Sequence, residues 1–218
     1  MVTYIRVFTV EHTLQDSMLS KIFNKHNSDK TMKHMYHLVY EPHFDNIRYN
    51  KLNILEVGVF KGESINAWLE YFPNATVYGI DIFERVKAED IEVLNHPRVK
   101  WAQCDSTVSG VEEWKDVEFD IIIDDGLHTP TANMLTFKNL SSLLKKGGLY
   151  FIEDVWPLEL MSTKELEHSW LKKYKDEYLL ENNEKFLHEL KKSNMIIKRH
   201  DNRTITGQPD SYIIELQS

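Results

Sequence analysis

Five apolar runs of strand length, each with a glycine or an acid among its last three residues, restrict this chain more than any other feature. They are "NILEVGV" (53–59), "ATVYGIDIF" (75–83), "VKWAQCDS" (99–106), "FDIIIDDG" (119–126) and "LYFIEDV" (149–155). Helical patterns separate several of them. "ESINAWLEYF" places Ile65, Trp68, Leu69 and Phe72 at helical spacing, and a polar helix-like stretch follows the second run. Thr129 with Pro130 behind it reads as a helix N-cap and first turn. That helix is expected to run through Met134, Phe137, Leu140 and Leu144 until Gly147-Gly148 stops it. Strands that are apolar throughout, rather than at alternate positions, must be buried on both faces, so the sheet is mostly parallel with helices on each side. The end of the chain, "MIIKRHDN" and "SYIIELQ", reads as two strands joined by a polar turn. The expected fold is α/β: a doubly wound, mostly parallel seven-stranded sheet with a C-terminal antiparallel hairpin.

Residues 1–50 are polar and histidine-rich. In "TLQDSMLSKIFNKH", Leu14, Met18, Ile22 and Phe23 would share one helix face. The aromatic "DKTMKHMYHLVYEPHF" follows and ends near Pro42. We read 1–50 as a short helical N-terminal cap and 51–218 as the core domain. Residues 163–193 read as one long helical region, with Trp170, Tyr174 and Tyr178 four apart. The net charge of −8 gives no electrostatic reason to expect nucleic acid or an anionic membrane as a partner. Cys104 is the sole cysteine, which excludes an intrachain disulfide and a cysteine-based zinc cluster. No apolar run approaches the ~18 residues of a membrane span and nothing resembles a signal peptide, so a cytoplasmic location is expected.

In open sheets of this kind the site lies beyond the carboxyl ends of the strands. The first strand-to-helix turn, "ILEVGVFKGES", has Gly58 and Gly62 four apart with Glu56 two residues before the first. It lacks the three glycines of G-x-G-x-x-G, which let a pyrophosphate reach a helix N-terminus. Its E-x-G-x-x-x-G pattern suits a nucleoside cofactor whose atoms approach bare backbone, although a purely structural turn would need the same glycines. Asp81, at the second strand tip, can accept hydrogen bonds from both ribose hydroxyls; capping a helix is the alternative. Asp105 and Ser106, at the third tip, are placed to meet an adenine edge.

These three tips together resemble the class I S-adenosylmethionine-dependent methyltransferases over residues 51–155, and the terminal hairpin suits the last two strands of that Rossmann-like fold. The resemblance implies S-adenosyl-L-methionine as cofactor. It puts Glu56, Gly58 and Gly62 around the methionine end, Asp81 on the ribose, and Asp105 and Ser106 near adenine. Ser64, Ile82 and Asp124 complete the implied cofactor set.

The fourth and fifth tips, "DDGLH" and "IEDV", bring carboxylates and an imidazole to the same rim. Carboxylates on neighbouring tips can converge on a hard cation such as Mg²⁺. Consecutive strand residues point to opposite faces, so Glu153 and Asp154 meet one ion only if the chain turns there. His128 can take a proton near neutral pH. Alternatively, Asp124 and Asp125 cap the turn and Glu153 faces solvent.

"DDGLHT" with "FIEDV" narrows the resemblance to the metal-dependent sugar O-methyltransferases of macrolide and polyketide glycosides and their cephalosporin-hydroxylase-type relatives. That pattern implies Asp125, Glu153 and Asp154 as Mg²⁺ ligands and His128 as the base. "NSDKTMKHMYHLVYE" is similar to that family's N-terminal "DK…Y…Y" segment, which implies contacts from Lys30, His34 or Tyr36 to cofactor or substrate. The antibiotic enzymes carry a large N-terminal domain where about 50 residues stand here, which puts their substrate and their oligomer in doubt. The expectation is a Mg²⁺-assisted O-methyltransferase acting on a sugar hydroxyl of a small-molecule or saccharide acceptor, with a homo-oligomer left open. The alternatives are transfer to an amine, a catechol-like ring or a phosphoramidate-like group, a nicotinamide-dependent oxidoreductase, and a non-catalytic nucleotide-binding module.

Overall fold

The structure is a computed structural model that describes residues 17–218. Leu14, expected on the first helix face, lies outside the described residues. Helix α1 (Met18–Lys25) starts where the Ser17 side chain accepts from the Ser20 N–H, and it buries Leu19, Ile22 and Phe23. Met18 is 46% exposed, so Leu19 rather than Met18 completes the inward face. Two further helices, α2 (Asp29–Met32) and α3 (His37–Phe44), lead into the sheet.

The sheet strands are β1 (Asn53–Val57), β2 (Thr76–Asp81), β3 (Val99–Gln103), β4 (Phe119–Asp124), β5 (Leu144–Ile152), β6 (Ile196–Asp201) and β7 (Tyr212–Gln217). Their order is β3-β2-β1-β4-β5-β7-β6. The first five strands pair in parallel, and β7 pairs antiparallel with both β5 and β6. This is the doubly wound sheet with a terminal hairpin that the apolar runs imply, and the order reverses between β1 and β4. A short helix, α9 (Arg203–Thr206), sits in the connection between β6 and β7.

Each sheet face has its own apolar layer. One joins Ile54, Val77, Ile121 and Phe151 to α4 (Glu63–Tyr71) and to the cap through Phe23, Tyr40 and Phe44. The other joins Leu55, Ile122 and Tyr150 to α5 (Pro130–Leu140) and α8 (Leu180–Lys192). Residues 17–50 thus share the core of the sheet. Trp68 on α4 is fully buried, with Phe23, Tyr40 and Phe44 edge-on to it. Trp68→Ala should cost about 3–5 kcal/mol, the usual range for emptying a buried aromatic site, read from the shift of the denaturant midpoint.

Three local expectations change. The 163–193 region divides into α6 (Thr163–Leu166), α7 (Ser169–Lys173) and α8. A Ser162/Glu165 capping box starts α6, and the His168 side chain accepts from the Trp170 N–H to start α7. Trp170, Tyr174 and Tyr178 pack with Trp156, Leu158 and Leu171 in a separate small cluster, so their spacing reflects that cluster and not one helix stripe. Helix α5 ends at Leu140, before the two glycines, because Leu144 already pairs with Phe119 as the first residue of β5. The stretch after β2 forms two 3₁₀ turns, Ala88–Asp90 and Glu92–Asn95. Val93 in the second packs against Gly62, where a Cβ would lie only 2.5 Å from its Cγ1. Among the described residues no helix is long and apolar enough to cross a membrane.

Candidate functional site

Four strand-tip loops at the carboxyl rim carry non-glycine residues in the left-handed region: Phe60, Phe83, His128 and Asp154, with φ of 48°, 54°, 65° and 50°. Such backbone costs of order 1–3 kcal/mol per residue and persists where the surroundings enforce it. All four surround one crevice of about 850 Å³, lined by Gly58, Asp81, Ser106, Asp125, His128 and Asp154 among others.

Gly58 forms its inner edge. Its φ is +89°, and a Cβ there would lie 2.1 Å from the Asp125 carbonyl oxygen. The β1 loop therefore lies directly against the tip of β4, and no side chain fits between them. Asp81 lines the crevice and also organises it. Its Oδ2 accepts from the Val59 and Phe60 N–H groups at 2.8 and 3.0 Å, and its Oδ1 from Phe83 N–H at 2.8 Å. Oδ1, which holds one of these bonds, keeps acceptor capacity for a further donor, whereas both lone-pair sites of Oδ2 are taken. Ile82, Asp105 and Ser106 lie on the same wall. Asp105 Oδ1 accepts from Thr107 N–H, and the Ser106 hydroxyl pairs with that of Thr136.

Glu56, Gly62, Ser64 and Asp124 stand behind the wall rather than on it. Glu56 is wholly buried; its Oε2 accepts from the Ser64 hydroxyl and the Trp68 indole at 2.9 and 3.1 Å. Burial raises its pKa to about 7, against the opposing pull of Lys30. A carboxyl raised in this way contributes stability that is complete below the unfolded value near 4.5 and is lost as pH rises through about 7. Glu56→Gln should therefore flatten the stability profile between about pH 4.5 and 7, as followed by urea denaturation across that range. Asp124, buried and raised to about 6 by that burial, accepts from Asn133 Nδ2 and from Gly126 N–H and so shapes the turn.

Asp125, His128 and Asp154 converge: each offers a ligand atom within 4.8 Å of the others. His128 Nε2 stands 3.8 Å from Asp125 Oδ1, while its Nδ1 is buried without a partner. The His128 carbonyl accepts from the Tyr178 hydroxyl, which in turn accepts from the Trp170 indole. The positive φ at Asp154 supplies the turn that brings this residue to the group. Tyr36 fixes it there: the phenol donates to Asp154 Oδ1 at 2.7 Å and accepts from the Asp154 N–H at 3.0 Å. His34 Nδ1 lies 3.5 Å from the same carboxylate and 2.9 Å from the Ser211 hydroxyl, and its ring stacks on Tyr36. Burial raises the Asp154 pKa, opposed by His34 and His128, and it pushes the Tyr36 phenol well up.

Glu153 does not join that group. It is buried, its Oε1 accepts from the Tyr40 hydroxyl, and its Oε2 accepts from Lys30 Nζ at 2.5 Å. Lys30, from α2, is 1% exposed and also donates to Asp125 Oδ2 at 2.6 Å. Sequence reasoning passed over Tyr40 and Asp210. Tyr40 follows Tyr36 at a one-turn spacing, a signal present in "YHLVY". Asp210, whose buried Oδ1 lacks a partner, lies within 4.8 Å of His34 and Asp154, and nothing in its local sequence marks it.

Carboxylate oxygens of Asp125 and Asp154 beside an imidazole suit a hard divalent cation, and bare backbone at Gly58 beside Asp81 suits a nucleoside. The residues present fit both groups.

A family model described as a methyltransferase domain matches residues 55–155. An 8-demethyl-8-(2-methoxy-alpha-L-rhamnosyl)-tetracenomycin-C 3'-O-methyltransferase of Streptomyces olivaceus is 30% identical over 149 residues, 63% of this chain and 37% of that protein. The mycinamicin VI 2''-O-methyltransferase of Micromonospora griseorubida is 30% identical over 124 residues, 54% of this chain and 30% of that protein. The chain thus spans less than two fifths of the length of these relatives. Among solved structures, the MycE methyltransferase in complex with Mg, SAH and mycinamycin VI superposes with a TM-score of 0.64 at 23% identity, covering 99% of this chain and 60% of that one.

Proposed function

We propose that this chain, a class I S-adenosylmethionine-dependent methyltransferase distantly related to the macrolide and polyketide sugar O-methyltransferases, methylates a sugar hydroxyl with help from a divalent cation. The observation that carries this reading is the convergence of Asp125, His128 and Asp154 across one crevice from Gly58 and Asp81. S-adenosylmethionine would supply an electrophilic methyl carbon, and Mg²⁺ would make a bound hydroxyl more acidic. Asp125 and Asp154 would hold the cation.

This chain's residues account for the remaining work. Gly58 and Asp81 seat the nucleoside. A sugar hydroxyl keeps its proton at neutral pH and is a weak nucleophile, so a base must remove that proton as the oxygen attacks. His128 takes it at Nε2, the ring nitrogen on the Asp125 side. Bound S-adenosylmethionine would supply the methyl carbon to the sugar oxygen and would keep the electron pair of the broken carbon–sulfur bond, while His128 holds the proton. Tyr178 and Tyr36 hold the backbone of His128 and the carboxylate of Asp154, which sets the two groups before the acceptor arrives. Trp156, Trp170 and Tyr174 line the same crevice. Aromatic side chains on a crevice wall suit the C–H surface of a sugar ring, which favours a glycoside over a small amine.

The test is a labelled-methyl transfer assay with simple glycosides, a catechol and a primary amine, each with and without EDTA. Methylation of a glycoside that EDTA abolishes supports the reading. Transfer to the amine alone, insensitive to EDTA, replaces it with N-methylation.

A further inference from the structure

Lys30 is among the most enclosed charged groups described. Its side chain is 2% exposed, and its ammonium lies 2.5 Å from Glu153 Oε2, 2.6 Å from Asp125 Oδ2 and 3.4 Å from Glu56 Oε1. An ammonium has three protons to donate, and three carboxylates surround this one. Buried charges persist when they are paired in this way, and removing one partner leaves the others uncompensated. The Tyr40 hydroxyl occupies the remaining oxygen of Glu153. Each oxygen of Glu153 thus holds a hydrogen bond from within the protein, and the buried residue is absent from the crevice lining and from the group formed by Asp125, His128 and Asp154. Asp125 divides its two oxygens: Oδ2 goes to Lys30 and Oδ1 lies toward His128.

We propose that Lys30 is the resident cation of this carboxylate cluster. It joins Asp125 to Glu153, so Glu153 is a positioning residue rather than a metal ligand. A divalent cation then binds on the far side of Asp125, between Oδ1 and Asp154. This rests on the reading of Asp125 and Asp154 as a cation site, and it departs from the three-carboxylate set implied by the resemblance. It also sets Lys30 and the divalent cation in opposition: both draw on the charge of Asp125, so each weakens the other's hold. The cap segment thereby tunes metal affinity from a helix that offers no ligand itself.

The test uses Mn²⁺ as the probe, titrated calorimetrically into the metal-stripped full chain without cofactor or acceptor, so that turnover plays no part. Glu153→Gln keeps an acceptor for Tyr40 and should leave the Mn²⁺ Kd within about threefold of the parent, since no ligand is lost. Asp154→Asn should weaken binding by about tenfold or more. Lys30→Gln removes a competing charge and should tighten binding about tenfold. A loss in Glu153→Gln as large as in Asp154→Asn overturns the inference while leaving the cation site in place. Unchanged affinity in a folded Lys30→Gln also overturns it. Binding that appears only in Lys30→Gln supports it. Should Lys30→Gln fail to fold, Glu153→Gln alone decides between positioning residue and ligand. Retained binding in Asp154→Asn, or silence in parent and Lys30→Gln alike, removes the cation site itself and the inference with it.

Discussion

His128→Ala should lower methyl-transfer turnover by about 10²–10⁴-fold, the usual worth of a positioned general base. The side chain is partly exposed to the crevice, and its removal uncovers no large apolar surface. Its backbone lies in the left-handed region with φ at 65°, where histidine is commoner than alanine, so the substitution adds a modest strain that the surrounding turn must hold. The hydrogen bond from Tyr178 goes to the main-chain carbonyl and survives the substitution. The expected variant is therefore folded, binds S-adenosylhomocysteine as the parent does, and is slow. Raising the pH should recover part of the rate, because hydroxide can then remove the proton that the imidazole took. If turnover stays within about tenfold of the parent while the fold and cofactor affinity are intact, His128 is not the base.

Gly58→Ala should be the second large effect, acting on cofactor binding and stability together. Two costs add at this position. The φ of +89° disfavours any L side chain, and the new methyl would lie 2.1 Å from the Asp125 carbonyl oxygen. Gly147 provides the control: its φ is +81°, yet a Cβ there meets nothing within 4 Å. Gly147→Ala should therefore cost only the conformational part, about 1 kcal/mol, and leave ligand affinity untouched. Gly58→Ala should cost about 3 kcal/mol or more and weaken S-adenosylhomocysteine binding by at least about tenfold, because the β1 and β4 tips must part. Equal costs at the two positions would show that the close approach at Gly58 is unimportant.

The sheet was legible because parallel strands are buried on both faces and so read as unbroken apolar runs. "FDIIIDDG" is β4, with β1 and β5 paired on either side of it. The hairpin was legible for the opposite reason, since its antiparallel edge strand β6 carries Lys198 and Arg199 among its apolar residues. Helix division in 163–193 was not legible. It depends on where Tyr178 finds partners, and those are Trp156 and the His128 carbonyl, the latter 50 residues earlier in the chain.

The same limit governed the site. Asp81, Asp125, His128 and Asp154 sit at strand tips, where topology alone brings them together. Glu153, by contrast, contacts Lys30 and Tyr40, 123 and 113 residues earlier in the chain. Local pattern offers no rule for such a contact. Glu56 and Asp124 illustrate a further gap. Both sit at strand tips, and the structure buries them against Ser64, Trp68 and the Gly126 turn, contacts that the local sequence pattern does not show.

The most direct measurement is calorimetric titration of S-adenosylmethionine, S-adenosylhomocysteine and NAD⁺ into metal-stripped protein, repeated with Mg²⁺ added. The expected result is micromolar binding of both sulfur compounds, no heat with NAD⁺, and a Mg²⁺ heat that disappears in Asp125→Ala. Binding of NAD⁺ with silence toward the sulfur compounds would contradict the account, and the metal-and-base reading of Asp125, His128 and Asp154 would fall with it.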